Sequence, residues 1–258
     1  MTRKLIAFDI DGTILDSNKH ALPSTIQALD ALRKQGHLLM IATGRSYLFA
    51  KEVIEELGFD HYILCNGAAA FVDNQQVYKN TLEPTELQRF IEKTKALKID
   101  TASLTLETIK RNTDFQPTVM ETAMTSFGQQ LPEYHETFYQ TQDIYQALAY
   151  FDEEFDGHFD EEFKQFRFVR WHPNSVDVVP HDGSKAETIK HVAKQFGFKL
   201  ADTLAFGDGL NDIEMLQTVG VGVAMGNAEP AVKEVASFVT DSNDQDGIAN
   251  ALKKLDLI

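Results

Sequence analysis

The stretch AFDIDGTILD, residues 7–16, runs from apolar residues straight into two aspartates, Asp9 and Asp11, and then into Gly12-Thr13. A strand buried on both faces reads as a near-continuous apolar run, and LIAF (5–8) supplies one. Read as strand residues, Asp9 and Asp11 lie two apart and share a face, with Ile10 pointing away. Gly12 allows a tight exit, and Thr13 can hydrogen-bond locally to fix the loop. Two carboxylates so placed suit a division of labour: one a nucleophile or metal ligand, the other a proton carrier. Spacing alone leaves open a plainer alternative, a pair of solvated loop acids that follow a strand. A calcium loop does not fit, because Ile14 stands where its turn glycine belongs and His20 where its bidentate acid belongs.

Similar apolar runs end in polar or glycine residues at LLMIATGR (38–45), YILCNG (62–67), TLAFGDG (203–209) and VGVAMGN (221–227). Helical patterns lie between them. Ser24 is placed to cap a helix carrying Ile26, Leu29 and Leu32 and stopped at Gly36. Further helices are expected over Ser46–Leu57, before Gly58, and over Lys185–Phe196, before Gly197. Alternation of this kind implies right-handed βαβ units in a doubly wound, Rossmann-like α/β core with a parallel sheet, whose ligands sit beyond the carboxyl ends of the strands. Residues 83–182 read differently. A helix over Glu83–Leu97 mixes with the strand-like FRFVRW (166–171) and SVDVVP (175–180), so an inserted α+β domain is expected there, between core segments 1–82 and 183–258.

With 258 residues, the chain is long enough for this plan without disulfides, and its single cysteine, Cys65, can form none within the chain. That favours a cytoplasmic location. The apolar part of MTRKLIAFDI is too short, and too soon interrupted by Asp9, for a signal peptide. No run approaches the ~18 apolar residues of a membrane span. With 39 acids against 24 bases, the net charge of −15 argues against nucleic-acid binding. It also means that an anionic ligand needs local bases, a metal or backbone dipoles to receive it.

The other strand ends supply such groups. Asp208, in GDGLNDIEM (207–215), ends one apolar run, with Asn211 and Asp212 in the first turn of the next helix. Mg²⁺ takes oxygen ligands, and Asp9 and Asp208 would offer anionic ones from adjacent strands. Thr43 and the Gly44 amide, in ATGR (42–45), can bind a phosphoryl oxygen, although a capped strand-to-helix turn explains the same residues. Lys185 stands at a helix start, where a cation is disfavoured. Its stem would ordinarily carry the charge to solvent, and beside the other groups it would neutralise a phosphoryl group and an aspartate. Three features are set aside. DEEFDGHFDEEF (152–163) has Phe163 where a calcium loop needs glutamate. Arg45, His172 and His181 are assigned no role, and Trp171 and the insert's phenylalanines read as core.

Asp9-Ile10-Asp11-Gly12-Thr13 resembles the DxDGT signature of the haloacid dehalogenase-like phosphatases. Thr43 in ATGR, Lys185, and GDGLND with Asp208 and Asp212 match the family's three other signatures. The insert resembles the type-two cap of the Cof-like (subfamily IIB) sugar phosphatases, and NGA (66–68) and VAMGNA (223–228) are also similar to that subgroup. The resemblance implies a Mg²⁺-dependent phosphatase acting on a small-molecule phosphate ester, a sugar phosphate or similar metabolite. Asp9 would form an aspartyl-phosphate and Asp11 would serve as acid and then base. Asp9, Asp208 and the Asp11 carbonyl would hold the metal. The Ile10 amide, Thr43, Gly44, Lys185 and Asn211 would hold phosphate, supported by Asp212 and Thr13. Asp9 is then expected to stay ionised and Asp11 to hold its proton near neutral pH. A phosphohexomutase-type phosphotransferase and a non-catalytic phospho-receiver are the competing readings. The sequence leaves the oligomeric state open.

Overall fold

A computed structural model describes residues 2–258. The chain folds as two compact units, one running to Arg45 and taking in Phe49–Lys79 and Ser184–Ile258, the other made of Ser46–Leu48 and Asn80–Gly183.

The first unit begins with β1 (Leu5–Phe8), α1 (Pro23–Lys34), β2 (Leu38–Ala42), α2 (Tyr47–Glu56), β3 (Tyr62–Leu64), β4 (Ala69–Val72) and β5 (Gln75–Lys79). The second unit holds α3 (Pro84–Ala96), β6 (Asp100–Leu104), β7 (Ile109–Arg111), α4 (Pro117–Ser126), β8 (Gln146–Tyr150), β9 (Phe166–His172) and β10 (Ser175–Pro180). The first unit resumes with α5 (Lys185–Gln195), β11 (Thr203–Gly207), α6 (Ile213–Thr218), β12 (Val221–Ala224), α7 (Pro230–Val235), β13 (Phe238–Val239) and α8 (Gly247–Lys254).

Eight strands form the first unit's sheet, in the order β13-β12-β11-β1-β2-β3-β4-β5. The pairs from β13 to β3 are parallel, and the β3-β4-β5 edge is antiparallel. Every residue of β1, β2 and β11 is buried, which is why their sequences are apolar throughout rather than alternating. On one face Leu5, Ala7, Met40 and Ala205 pack with Ile189 and Val192 of α5. Phe8 stacks on Phe206 of the neighbouring strand at 5.1 Å. From β1 the strand order runs one way through β2 and β3 and the other way through β11, β12 and β13. The reversal between β1 and β11 is the switch point at which open α/β sheets place their ligands, beyond the strands' carboxyl ends.

In the second unit a five-stranded antiparallel sheet, β7-β6-β8-β10-β9, packs on aromatic residues. Phe90 of α3 meets Phe159 and Phe163 edge-on at 5.3 and 5.2 Å. Phe163, at the last position of the acidic stretch, is fully buried. Asp156 of that stretch is held by Arg170. Trp171 packs edge-on against Phe127. No helix among the described residues is long and apolar enough to cross a membrane.

Two local expectations need correction. Leu22, not Ser24, is the N-cap of α1 and makes no side-chain cap, because Pro23 opens the helix; Ser24 lies inside the first turn, where its hydroxyl donates to Asp246. β1 stops at Phe8. The Asp9 amide still donates to the Phe206 carbonyl at 3.0 Å, after which Thr13, Ile14 and Leu15 turn back onto Asp9 and Ile10. The period-two geometry that would put both aspartates on one face therefore ends before it reaches them.

Candidate active site

Three loops at the carboxyl ends of β1, β2 and β11 carry the polar residues. Asp9 is buried, and its Oδ1 accepts a 2.6 Å bond from the Lys185 ammonium. The same ammonium donates to Asp212 at 2.7 Å. Lys185, at 1% exposure, is among the most buried side chains of the molecule. Ser184 caps α5 by accepting from the Glu187 amide, and Lys185 then turns inward as the first helical residue. A position at which exposure is the ordinary outcome thus holds a sequestered cation, because two carboxylates replace its water.

Asp212 has a second task. Its Oδ2 accepts from the Asp208 and Gly209 amides, both at 3.0 Å, and so shapes the turn after β11. Asn211 and Asp212 belong to a short 3₁₀ turn, Leu210–Asp212, that precedes α6 rather than to the helix itself. Asp208 accepts a 2.8 Å bond from the Thr13 hydroxyl. Gly12, with φ of +76°, passes so close that a Cβ there would lie 2.2 Å from Asp208 Oδ2. Gly12 is needed both for its backbone conformation and for this approach.

Asp11 turns elsewhere. Arg45 grips its carboxylate with two bonds, at 2.7 and 2.8 Å, and is itself anchored on the Phe49 carbonyl; Lys19 adds a third contact at 3.0 Å. Arg45 and Lys19 act against the protonated form of Asp11 that the resemblance implies. Burial pushes the Asp9 carboxyl well up, against the pull of Lys185, with Asp212 and Asp208 adding to the rise. Burial also acts upward on Asp11, but Arg45 and Lys19 outweigh it and hold that carboxyl below its ordinary value. Asp208 is pushed up to about 6, chiefly by burial, with Thr13 opposing. On Lys185, burial is outweighed by Asp212 and Asp9, so its ammonium is held charged.

Carboxylate oxygens of Asp9, Asp208 and Asp212 lie within 4.8 Å of one another. Three acids around a single ammonium leave excess negative charge in a poorly solvated place, and an all-oxygen donor set of this kind fits a hard divalent cation. Asp9 Oδ2 accepts no hydrogen bond among the described residues. The Asp11 carboxylate, already engaged by Arg45 and Lys19, is not part of the cluster. Donors for an anion are close in sequence. The Ile10 and Gly44 amides donate no hydrogen bond among the described residues, and the Thr43 hydroxyl oxygen accepts from the Arg45 amide at 3.1 Å. Asn211 is oriented by donating to Asn66 at 2.9 Å.

Four further residues support the site without a clear sign in the sequence. Arg45 and Lys19 hold Asp11. Asn227 donates to the Gly12 carbonyl at 2.8 Å and to Asp208 at 3.4 Å. Asn66 accepts from Asn211. For Arg45 the available signal was its place directly after Thr43-Gly44 at a strand end; Lys19 gave none. His172 and His181 make local contacts: His172 Nδ1 accepts from the Asn174 amide, and the His181 amide donates to the Gln165 carbonyl.

Residues 6–252 match the family model described as haloacid dehalogenase-like hydrolase. A Bacillus subtilis (strain 168) protein named "Putative phosphatase YkrA" is 43% identical over 258 residues, covering 100% of both chains. Among solved structures, BT1666 from Bacteroides thetaiotaomicron, described among phosphatases of this superfamily, is similar with a TM-score of 0.92 and 31% identity, over 99% of this chain and 96% of that one. The subclass IIB sugar phosphatase BT4131 is similar with a TM-score of 0.88 and 29% identity, over 99% and 100% of the two chains.

Proposed function

The chain belongs to the haloacid dehalogenase-like hydrolases and is a phosphoric monoester hydrolase, and on that premise we propose that it uses Mg²⁺ and an aspartyl-phosphate on Asp9 to hydrolyse small phosphorylated metabolites of the sugar-phosphate type. The observation that carries this reading is the buried Asp9 carboxylate, held through Oδ1 by Lys185 and with Asp208 beside it. A carboxylate fixed at one oxygen presents the other for attack.

In this mechanism Asp9 Oδ2 forms a bond to phosphorus as the ester P–O bond breaks, and the leaving oxygen takes a proton from Asp11. Asp11, now a carboxylate, takes a proton from water as that water attacks phosphorus and the acyl-phosphate bond breaks, freeing Asp9 and phosphate. The Ile10 and Gly44 amides, Thr43, Asn211 and Lys185 hold the phosphoryl oxygens, and preorganised donors of this kind supply most of the acceleration in phosphoryl transfer. Asp9, Asp208 and the Asp11 carbonyl would hold Mg²⁺, which supplies neutralisation of carboxylate and phosphoryl charge when bound. Asp212 keeps Lys185 in place and shapes the Asp208 turn, while Thr13 orients Asp208. Arg45 and Lys19 stabilise Asp11 as the base of the second step. For the first step they must release it, so that it can carry a proton.

The test is phosphate release from p-nitrophenyl phosphate and a panel of sugar phosphates, nucleotides and pyridoxal phosphate. Activity should require added Mg²⁺, stop with chelator, return on re-addition and be absent from Asp9→Asn. An isomerised sugar phosphate without free phosphate would instead make the protein a mutase. Stable phosphorylation without turnover would make it a receiver.

A further inference from the structure

The turn after β3 is strained in a way that the chemistry above does not use. Cys65, Asn66 and Gly67 have φ values of 51°, 53° and 102°, so three successive residues, two of them with side chains, lie in the left-handed region. Such conformations cost free energy for residues with a Cβ and persist where their surroundings hold them.

The surroundings here are the loops that carry the phosphate donors. The Asn66 amide donates to the Thr43 carbonyl at 3.1 Å, and the Cys65 amide to the Arg45 carbonyl at 2.9 Å. A Cβ on Gly44 would stand 3.0 Å from Asn66 Oδ1. On the other side, the Gly67 carbonyl accepts a 2.6 Å bond from the buried Thr188 hydroxyl of α5. Gly67 also passes so near the start of α5 that a Cβ would lie 2.3 Å from the Ser184 carbonyl oxygen and 2.9 Å from the Lys185 nitrogen. Finally, Asn66 Oδ1 accepts from the Asn211 side-chain amide at 2.9 Å, and Asn66 itself is buried. One turn thus touches the loop of Thr43-Gly44, the helix start that aims Lys185, and Asn211.

We propose that Asn66 is a positioning residue for the phosphoryl site: its left-handed backbone braces the Thr43-Gly44 loop and its side-chain oxygen fixes the rotamer of Asn211. An amide nitrogen has two hydrogens. Directing one at Asn66 sets the plane in which the other reaches a phosphoryl oxygen. Asparagine fits because it tolerates positive φ and carries an acceptor of the required reach, a combination that glycine and serine lack. This inference rests on the phosphatase reading for its ligand, but its test does not require turnover.

The experiment measures binding of inorganic phosphate by calorimetry in the presence of Mg²⁺, together with kcat and KM on p-nitrophenyl phosphate. The proteins are wild type, Asn66→Gly, Asn66→Ser, Asn211→Ala and the double variant N66G/N211A. Asn66→Gly keeps the left-handed backbone accessible and removes the side-chain acceptor; Asn66→Ser leaves a hydroxyl too short to span to Asn211. Both should fold with a urea midpoint near wild type, and both should weaken phosphate binding about ten-fold, the effect of one well-placed hydrogen bond. KM should rise with the weakened binding. Because Asn66 acts through Asn211, N66G/N211A should bind phosphate as weakly as Asn211→Ala alone. Wild-type phosphate affinity in the folded Asn66 variants, or effects that multiply in the double variant, would overturn the proposal. A wild type that binds phosphate but releases none from any ester would defeat the phosphatase reading while the binding cycle still decided the role of Asn66.

Discussion

Replacing Lys185 with methionine removes the ammonium from between Asp9 and Asp212 with little change in volume. The contacts it loses are 2.6 and 2.7 Å long. At an effective dielectric of about 20, unit charges at that spacing attract by about 6 kcal/mol per pair. Desolvation offsets much of this in the intact triad, but deletion of one member leaves the other charges buried without compensation, at a cost of about 3–5 kcal/mol. With a urea dependence of roughly 3 kcal/mol per molar, the midpoint should fall by about 1–2 M. Metal-free protein in chelator is the right sample, since a bound cation would substitute for the lost charge. The pH dependence has a definite sign. Asp9 already has a raised carboxyl pKa because of burial, and Lys185 is the main group pulling it down. Without Lys185 the folded-state value rises further. A carboxyl raised in the folded state favours folding below its unfolded value and opposes it increasingly as pH climbs through the folded value. The deficit of Lys185→Met should therefore be larger at pH 8 than at pH 6. An unchanged midpoint at pH 8, or a deficit that grows on acidification, would refute the claim that Lys185 compensates buried carboxylates.

Gly12→Ala forces a Cβ against Asp208 at a positive-φ position, and Mg²⁺ affinity by calorimetry should fall about 10–100-fold, the usual effect of disturbing a ligand's support. Thr13→Val removes the hydrogen bond that opposes the rise of Asp208, whose carboxyl sits at about 6. Protons compete with the cation, so Mg²⁺ binding should weaken as pH falls through that value in wild type and from a higher pH in the variant; an unmoved pH profile would count against Thr13. Arg45→Met frees Asp11 from its strongest downward influence, and the limb of the kcat/KM profile assigned to Asp11 should shift to higher pH. A shift to lower pH, or none, would remove Arg45 as its regulator.

The sheet was legible because both faces of β1, β2 and β11 are covered, which leaves uninterrupted apolar runs ending at Asp9, Thr43 and Asp208. The helix stops were legible for a local reason: Gly36, Gly58 and Gly197 all take positive φ just past α1, α2 and the helix of Lys185. Ser24 misled because the cap signal competes with a preceding proline, and Pro23 took the first helical position. Strand periodicity, the basis for expecting Asp9 and Asp11 on a common face, holds only while the strand lasts, and β1 ends one residue before Asp9. The burial of Lys185 was not legible because a helix-start lysine is ordinarily solvated; only long-range packing shows it wedged between Asp9 and Asp212. The downward pull on the Asp11 carboxyl was illegible for the same reason. It depends on Arg45 and Lys19, whose meeting with Asp11 is a fact of loop geometry that residue type does not encode. Asn66 and Asn227 act through contacts with residues far along the chain, 145 positions away for Asn66 and 215 for Asn227.

The central claim is that Asp9 becomes covalently phosphorylated during turnover. Enzyme mixed with substrate and Mg²⁺, quenched in acid within one turnover and treated with borohydride should yield homoserine at position 9 on peptide mass analysis, because hydride reduces an acyl-phosphate and spares a free carboxylate. Aspartate left intact at position 9 in enzyme quenched mid-turnover, with Asp9→Asn hydrolysing the same ester at the wild-type rate, would contradict it.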